Sequence, residues 1–273
     1  MINLFRRIRQ KLIDSGNITK YLLYAIGEIL LVVIGILIAL QVNNWNEEQA
    51  NKAKEYSYLT GIHSDLIRQI ESLNRTIAVN KAAIETSFTL LEQYRQDGRF
   101  SRSDKDSTLY KINVISRSAA PGVIKTSFSE LMFGGNISLI HNENLRNQIV
   151  LFYQELDDMI DASNNNASVI FQRQLLPVFN SMTLIDATQM QTMFTGIEMD
   201  FPTNLSAYSE ETKELAFINL EDTNKHLEFL NALNLKVIIE GLQRSRSLEM
   251  IDSAQDLMAL IEEEIQKRHQ KGI

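Results

Sequence analysis

The sequence contains no cysteine, only three prolines and a single tryptophan among its 273 residues. The lack of cysteine excludes a disulfide framework, a thiolate metal site and a cysteine nucleophile. The prolines, Pro121, Pro177 and Pro202, lie where the apolar periodicity lapses, as is typical of helix boundaries. The long stretches without proline therefore favour a chain that is helical nearly throughout.

Motifs that carry chemistry are equally scarce. The four histidines, His63, His141, His226 and His269, have no histidine partner at a metal-ligand spacing, and no H-E-x-x-H motif occurs. No serine lies in a G-x-S-x-G setting, and no glycine-rich phosphate loop is present. We therefore expect no enzymatic activity, no cofactor and no bound metal.

Two groups of polar residues have alternative interpretations. Asp222 and His226 are spaced to meet on one helix face, where a surface charge pair is favoured over a catalytic or metal site. A cluster of acidic residues has the charge to attract a divalent cation, but it lacks the glycine-bearing loop of a calcium motif. This cluster is predicted to be a solvated helix face and comprises Glu155, Asp157, Asp158 and Asp161.

One feature that the sequence does have is a long apolar run, Tyr21–Val42, with a single acid, Glu28, inside it. A helix needs about 20 apolar residues to cross the roughly 30 Å hydrocarbon layer of a bilayer. A cleaved signal peptide has a shorter apolar region and a small-residue cleavage site, which Leu40–Asn43 does not provide. The run predicts an uncleaved transmembrane helix over residues 21–42.

Charge on the two flanks predicts the orientation of this helix. Residues 1–20 carry several bases against Asp14 alone, whereas the other flank begins with polar and acidic residues and reaches its first base at Lys52. The positive-inside rule therefore makes residues 1–20 a short basic cytoplasmic tail and sends residues 43–273 across the membrane. A tail of about 20 residues is too short to form a cytoplasmic domain.

Residues on both sides of the run are suited to anchoring at the membrane surface. Aromatic side chains concentrate where a membrane helix meets the headgroups. The basic residues of the tail alternate with apolar ones, so the tail either lies on an anionic membrane face as an amphipathic helix or serves only as an orientation signal. The predicted interface anchors are Arg6, Arg7, Arg9, Tyr21, Tyr24 and Trp45.

One face of the predicted membrane helix combines its acid with small residues. At about 100° per residue, Glu28, Val32, Gly35 and Ala39 share one side of the helix. Gly35 and Ala39 form a small-xxx-small pair that lets two helices approach closely. These four residues are predicted to contact a second copy of the chain or another membrane protein. The alternative is a glutamate without a partner, either protonated or snorkelling towards the headgroups.

Residues 43–273 are predicted to form one helical domain. Trp45–Gln96 is a single apolar pattern in which Ile62, Leu73 and Ile84 are eleven residues apart, a spacing that favours a nearly straight helix over a left-handed coiled coil. A second long pattern, from about Asp222 to Lys267, ends in a 3-4-3-4 spacing typical of a bundle seam. That seam comprises Ile251, Ala254, Met258, Ile261 and Ile265.

The fold prediction is therefore all-α. One N-terminal transmembrane helix is followed by an elongated helical bundle whose long first and last helices pack antiparallel. Shorter helices are expected near residues 108–117, over 126–133 before Gly134 and Gly135, and from a cap at Asn142 or Asn144 onwards. Residues 1–20 hold five of the 27 bases and one of the 34 acids, so the rest of the chain has 22 bases and 33 acids. That net charge of −11 argues against nucleic acid as a partner.

The N-terminal block FRRIRQKLI…KYLLYAIGEILLVVIGILIALQVNNWNEE resembles an uncharacterised family of single-pass envelope proteins from Bacteroidetes-type Gram-negative bacteria, a domain of unknown function. The stretch from Ser127 to Tyr153 and the C-terminal Leu260–Ile265 are similar to the same family. The resemblance implies anchoring in the inner membrane with residues 43–273 in the periplasm. It implies no activity and no catalytic residues.

The sequence favours a non-enzymatic, membrane-anchored helical module that scaffolds or regulates an envelope complex through helix–helix contacts. Its expected partners are the lipid bilayer and either a second copy or another membrane protein. A ligand-sensing bundle that signals through a membrane partner is the alternative. An enzyme would require a catalytic constellation that the sequence does not offer.

Overall fold

The structure is a computed structural model that describes residues 18–100, 102–185 and 208–270. The predictions for Arg6, Arg7 and Arg9 lie outside the described residues, as does Pro202. The backbone of Tyr21 and Tyr24 is described, but their side chains are not. The anchoring roles predicted for these residues therefore stay predictions.

Within the described residues every regular element is a helix, which confirms the all-α prediction. A π-helix, Asn166–Leu175, lies between α4 and α5, and short 3-10 turns occur at Arg102–Asp104 and Ile137–Leu139. The α-helices are α1 (Ile18–Asp97), α2 (Lys105–Ile115), α3 (Thr126–Phe133), α4 (Glu143–Asn165), α5 (Leu176–Ser181), α6 (Glu210–Glu221) and α7 (Thr223–Gln270).

The described part of the chain divides into two compact units, with the boundary between Ser57 and Tyr58. The described part of the first unit is helical and contains the apolar run. One helix in the described residues is long and apolar enough to cross a membrane, and none of its apolar window is buried. Leu31, for example, is 68% exposed. In water such a surface would be strongly unfavourable.

In the second unit the first and last long helices are antiparallel, as predicted. His63 Nε2 on α1 lies 2.9 Å from Glu262 Oε1 on α7. Further along α1, Tyr94 Oη lies 3.0 Å from Nδ1 of His226, at the beginning of α7. Because residue numbers rise along one helix as they fall along the other, the two helices run in opposite directions.

The buried face of α1 follows a seven-residue pattern and not the predicted eleven-residue one. Its seam residues are spaced alternately three and four apart, the spacing typical of left-handed helix packing. Of the predicted positions, Ile62 and Leu73 are fully buried, but Ile84 is only half-buried. The buried seam within the second unit is Leu59, Ile62, Leu66, Gln69, Leu73, Thr76, Asn80, Ala83, Ser87 and Leu90.

α7 carries a matching seam with the same alternation. It includes Ala254 and Ile261 from the predicted bundle face, and Ile251 is also buried beside them. The prediction of a packed face near the C-terminus is therefore confirmed. The full seam of α7 is His226, Phe229, Leu233, Lys236, Glu240, Gln243, Ser247, Met250, Ala254, Leu257 and Ile261.

The buried apolar side chains of the second unit form two separate clusters. Cluster A joins the Leu59–Leu73 part of α1 to α3, α4 and the Met250–Ile261 part of α7. Cluster B joins Leu90 and Leu91 to α2, the segment Phe171–Met182, α6 and the Phe229–Ile239 part of α7. Between the two clusters, both seams are rich in polar residues.

The chain between the long helices crosses from one cluster to the other twice. Residues 117–125 lead from α2 in cluster B to α3 in cluster A in a non-helical conformation. The second crossing, from α4 to α5, is made by the π-helix. Asn142 caps α4: its Oδ1 accepts from Leu145 N at 3.2 Å. Pro177, in the first turn of α5, has no backbone N–H and so cannot make the hydrogen bond that would continue a regular α-helix through this point.

Candidate functional site

The predicted membrane-helix face lies within the first unit, where its side chains contact no packed core. Val32 is 55% exposed, and a Cβ placed on Gly35 would meet no atom within 4 Å. Glu28 is partly exposed, and Trp45 is 58% exposed. The predicted interface of Glu28, Val32, Gly35 and Ala39 requires a second helix outside this chain, so it stays a prediction.

The second unit contains a buried polar layer, which we define as Asn80, Lys236, Glu240 and Gln243 together with residues 117–125. It lies between clusters A and B. Lys236 and Glu240 are four residues apart on α7 and only 1% and 2% exposed, with 2.6 Å between Nζ and Oε1. Burial lowers the pKa of Lys236, and the neighbouring Glu240 carboxylate opposes that shift. Such a pair is rare in a core unless each charge has further partners.

Lys236 has a partner for each of its three protons. Besides Glu240, its ammonium donates to the carbonyl oxygen of Arg117. It also lies 4.1 Å from the centroid of the Phe171 ring on the π-helix, within the range of a cation–π contact. One side chain thus connects α7, residues 117–125 and the π-helix.

The carboxylate of Glu240 extends this set of contacts to α1. With the amide of Asn80 oriented so that its nitrogen faces these acceptors, that nitrogen donates to Glu240 Oε2 at 2.7 Å and to Thr76 O at 3.2 Å. Asn80 is fully buried. The Lys236–Glu240 pair therefore contacts all four segments that pass between clusters A and B.

The non-helical residues 117–125 are held chiefly by side chains from the two long helices, and we call them the clasped segment. Gln69 uses both ends of its amide: Nε2 donates to Gly122 O at 3.0 Å, and Oε1 accepts from Ile124 N at 2.8 Å. Ser72 Oγ accepts from Gly122 N at 3.2 Å. From α7, Gln243 Nε2 donates to Ala119 O at 2.8 Å. These bonds satisfy backbone N–H and C=O groups that have no hydrogen-bond partner in a helix or a sheet.

The end of the clasped segment is fixed at the beginning of α3. The buried carboxylate of Asp65 on α1 accepts from Ser127 N at 2.6 Å, which caps the first turn of α3. Lys125 lies 2.7 Å from both carboxylate oxygens of Asp157. α3 can approach α1 here because residue 61 is glycine: a Cβ at Gly61 would lie 2.6 Å from Ser127 Oγ.

The predicted surface pair of Asp222 and His226 is wrong. His226 is only 5% exposed and bonds to Tyr94 Oη and, through Nε2, to Leu220 O at 2.8 Å. Asp222 lies in the one-residue break between α6 and α7 and accepts from Asn224 N at 3.1 Å. A carbonyl can only accept, so Nε2 of His226 carries a proton and Nδ1 accepts from the tyrosine in the neutral ring.

The acidic cluster is dispersed over different contacts. Asp157 pairs with Lys125, whereas Glu155 and Asp158 line an open groove of about 440 Å³ between α4 and α7, together with Arg246 and Glu249. Across the part of the chain that the structure describes, no group of three or more histidine or acidic side chains is arranged to hold a metal ion.

Sequence reasoning did not identify the polar layer. Lys236, Glu240 and Gln243 look like ordinary surface residues of a long helix, and hydrophobic periodicity passes over them. The 3-4 spacing that includes these positions passes through Met250, one residue before the predicted seam residue Ile251, so the predicted register did not indicate Lys236 or Gln243. Pro121-Gly122, interpreted as a break between helices, marks the clasped segment.

Comparisons with known proteins identify a family but no activity. The model of a family of unknown function, DUF6090, matches residues 28–169, just over half of the chain. The matched region includes Glu28, the α1 side of the polar layer and the clasped segment, whereas Lys236 and Glu240 lie beyond it. No curated protein and no solved structure matches the chain.

Proposed function

The chain belongs to the DUF6090 family of unknown function, and on that premise we propose that it is a membrane-anchored, non-enzymatic helical module. It scaffolds or regulates an envelope complex through helix–helix contacts in the membrane. The observation that carries the proposal is the exposed apolar stretch of α1: none of its apolar window is buried within the chain. A bilayer is the environment in which such a surface is favourable.

The proposed orientation is cytoplasmic for residues 1–20 and periplasmic for residues 43–273, with the anchor in a bacterial inner membrane. The support is the excess of bases before the apolar run. Because the chain has no cysteine, single cysteines report topology without background. In spheroplasts, an impermeant maleimide is expected to label Glu130→Cys, an exposed position, whereas Ser15→Cys is labelled only after permeabilisation. The reverse pattern would contradict the orientation.

The proposed contact surface is the face formed by Glu28, Val32, Gly35 and Ala39. Its support is the space beside Gly35, into which a neighbouring helix fits. Chemical crosslinking in native membranes, followed by mass spectrometry, is expected to recover either a dimer or one defined membrane protein. Gly35→Leu and Glu28→Leu are expected to abolish that product.

Gly27→Leu is the matched control for this experiment. A Cβ placed on Gly27 would also meet no atom within 4 Å, but this residue lies about 100° around the helix from Glu28. The control is expected to retain the crosslink. Loss of the crosslink in all variants, or recovery of monomer alone under dense crosslinking, would overturn the proposed interface.

Ligand sensing is the second candidate, and the groove beside Glu155, Asp158 and Arg246 is the observation that favours it. Its mixed charges and the buried Met159 and Met250 suit a small amphipathic ligand. The test is a thermal-shift screen of the detergent-solubilised protein. Saturable stabilisation that Arg246→Ala removes would favour sensing, whereas a flat screen together with a defined membrane crosslink favours scaffolding.

A further inference from the structure

We propose that the clasped segment, residues 117–125, is a latch that can leave the bundle while α1 and α7 remain paired. Gln69, Ser72 and Gln243 hold this segment, whereas the two helices are joined to each other by clusters A and B. The inference concerns the second unit alone and does not depend on the proposed membrane contacts.

Two kinds of backbone meet in the polar layer. The long helices satisfy their own N–H and C=O groups along their length. The clasped segment is not a helix, so its backbone N–H and C=O groups are not paired in this way. Its hydrogen bonds come from the side chains of Gln69, Ser72, Lys236 and Gln243. Breaking these bonds therefore removes the partners of the segment's backbone without removing any backbone bond of α1 or α7.

Apolar packing also stabilises the pairing of the long helices more than it stabilises the clasped segment. Clusters A and B join α1 to α7 on both sides of the polar layer. Within the clasped segment only Pro121 is fully buried; Ala120, Gly122 and Val123 are exposed, and the other five residues are half-buried. A segment with little buried apolar area, held by polar contacts, belongs to the least stable part of a fold.

Two residues of the segment make its release measurable. Trypsin cleaves after arginine and lysine, and Arg117 and Lys125 mark the two ends of the segment. In the closed state the carbonyl of Arg117 is held by Lys236, and Lys125 is paired with Asp157. Cleavage at Arg117–Ser118, followed by mass spectrometry on the full chain in detergent, therefore reports opening of the latch.

The test variant is Gln69→Leu/Gln243→Leu, which replaces both glutamines by side chains that suit a seam. We expect helicity and the melting temperature to be retained. We expect cleavage after Arg117 to accelerate at least about tenfold, because three hydrogen bonds to the segment are lost. The control is Thr76→Val/Ser87→Ala, also at buried seam positions, whose hydroxyls bond carbonyls of their own helix.

A milder variant covers the case in which the double glutamine variant fails to fold. Ser72→Ala removes only the acceptor of Gly122 N, and we expect cleavage after Arg117 to rise about threefold with the fold intact. The proposal is overturned if the folded variants are cleaved at the wild-type rate. It is equally overturned if the control is accelerated as much as the glutamine variant, because opening would then follow overall stability.

Discussion

At the scale of single residues, removing one charge of the buried Lys236–Glu240 pair is expected to affect stability differently from removing both. Lys236→Met leaves the Glu240 carboxylate, which is 2% exposed, without its cation. Breaking one partner of a buried ion pair costs about 3–5 kcal/mol. Lys236→Met is therefore expected to lower the free energy of unfolding of the second unit by about that amount.

The paired substitution Lys236→Met/Glu240→Leu removes both charges and is expected to recover most of this loss, since apolar replacements of buried pairs are often neutral or stabilising. Denaturant unfolding monitored by circular dichroism measures both variants. A double variant as unstable as the single one would show that the loss comes from the bonds to Arg117 and Phe171 and not from the unpaired carboxylate.

Gly61 gives a second residue-scale prediction. Gly61→Ala places a methyl group 2.6 Å from Ser127 Oγ and 3.0 Å from its Cβ, so α3 must shift away from α1. The strain is expected to exceed the helix-propensity gain of about 1 kcal/mol and to lower the melting temperature. Gly61→Ala/Ser127→Gly is expected to relieve the clash.

Gly241 is the matched control, because a Cβ there would meet no atom within 4 Å. It lies inside α7, which continues through it without interruption. Gly241→Ala is therefore expected to raise stability by about 0.5–1 kcal/mol. Differential scanning calorimetry compares the two glycines, and equal effects of the two alanine substitutions would contradict the close approach at Gly61.

At the scale of elements, α6 is attached to the turn before α2 by ion pairs as well as by apolar packing. Arg102 donates to both Glu214 and Glu221, and its guanidinium lies 5.6 Å from the Phe217 ring centroid. Hydrogen bonding from Arg102 lowers the pKa of Glu221, and bonds from Lys213 and Lys105 lower the pKa of Glu210.

These shifts predict how stability depends on pH. A carboxyl group whose pKa is lower in the folded state than in the unfolded state, where it is near 4.5 here, stabilises the fold at pH values above that unfolded pKa. This stabilisation is lost as the pH falls through the lower pKa of the folded state. Arg102→Met is expected to lower the melting temperature at pH 7, and its difference from wild type is expected to shrink below about pH 4.5. A difference that persists at pH 3 would indicate that packing on Phe217 dominates.

The helices themselves were largely predictable from the sequence, but their buried faces were not. Proline and glycine positions and the Asn142 cap predicted α1, α3 and α4. In α7, however, Leu227, Ile238 and Leu242 are more than half exposed, whereas Lys236 and Glu240 are buried. Hydrophobic periodicity assumes that apolar residues mark the core, and this assumption fails where the seam residues bind the backbone of a non-helical segment. Which polar residues would meet that backbone depends on contacts more than 100 residues apart in the chain.

At the scale of the whole molecule, the lack of cysteine allows the pairing of α1 with α7 to be tested directly. His63→Cys/Glu262→Cys places two thiols at positions whose native side chains are 2.9 Å apart. A short bis-maleimide is expected to link them within one chain. His63→Cys/Asp252→Cys, which moves the second thiol by about 15 Å along the helix, is expected to remain unlinked. Equal linking of both pairs would contradict the antiparallel register.

The membrane-helix face was proposed from sequence and depends on partners that a single chain does not contain. The polar layer, in contrast, is complete within the chain. Different experiments therefore address the two: crosslinking in membranes for Gly35 and Glu28, and proteolysis or unfolding for Gln69 and Lys236. A result for the membrane-helix face therefore does not test the polar layer, and a result for the polar layer does not test the membrane-helix face.

The pairing of the first long helix with the last has a consequence for the timing of folding. His63 and Glu262 are 199 residues apart in the sequence, so the seam of α1 has no α7 to pack against until nearly the whole chain has been synthesised. Contacts of such long range are slow to form because closing a long loop costs entropy. During translation, α1 therefore leaves the ribosome with Leu59, Ile62, Leu66 and Leu73 uncovered. The period in which a chaperone has most to protect is the time taken to translate residues 98–261, since Met250–Ile261 is the part of α7 that covers these side chains.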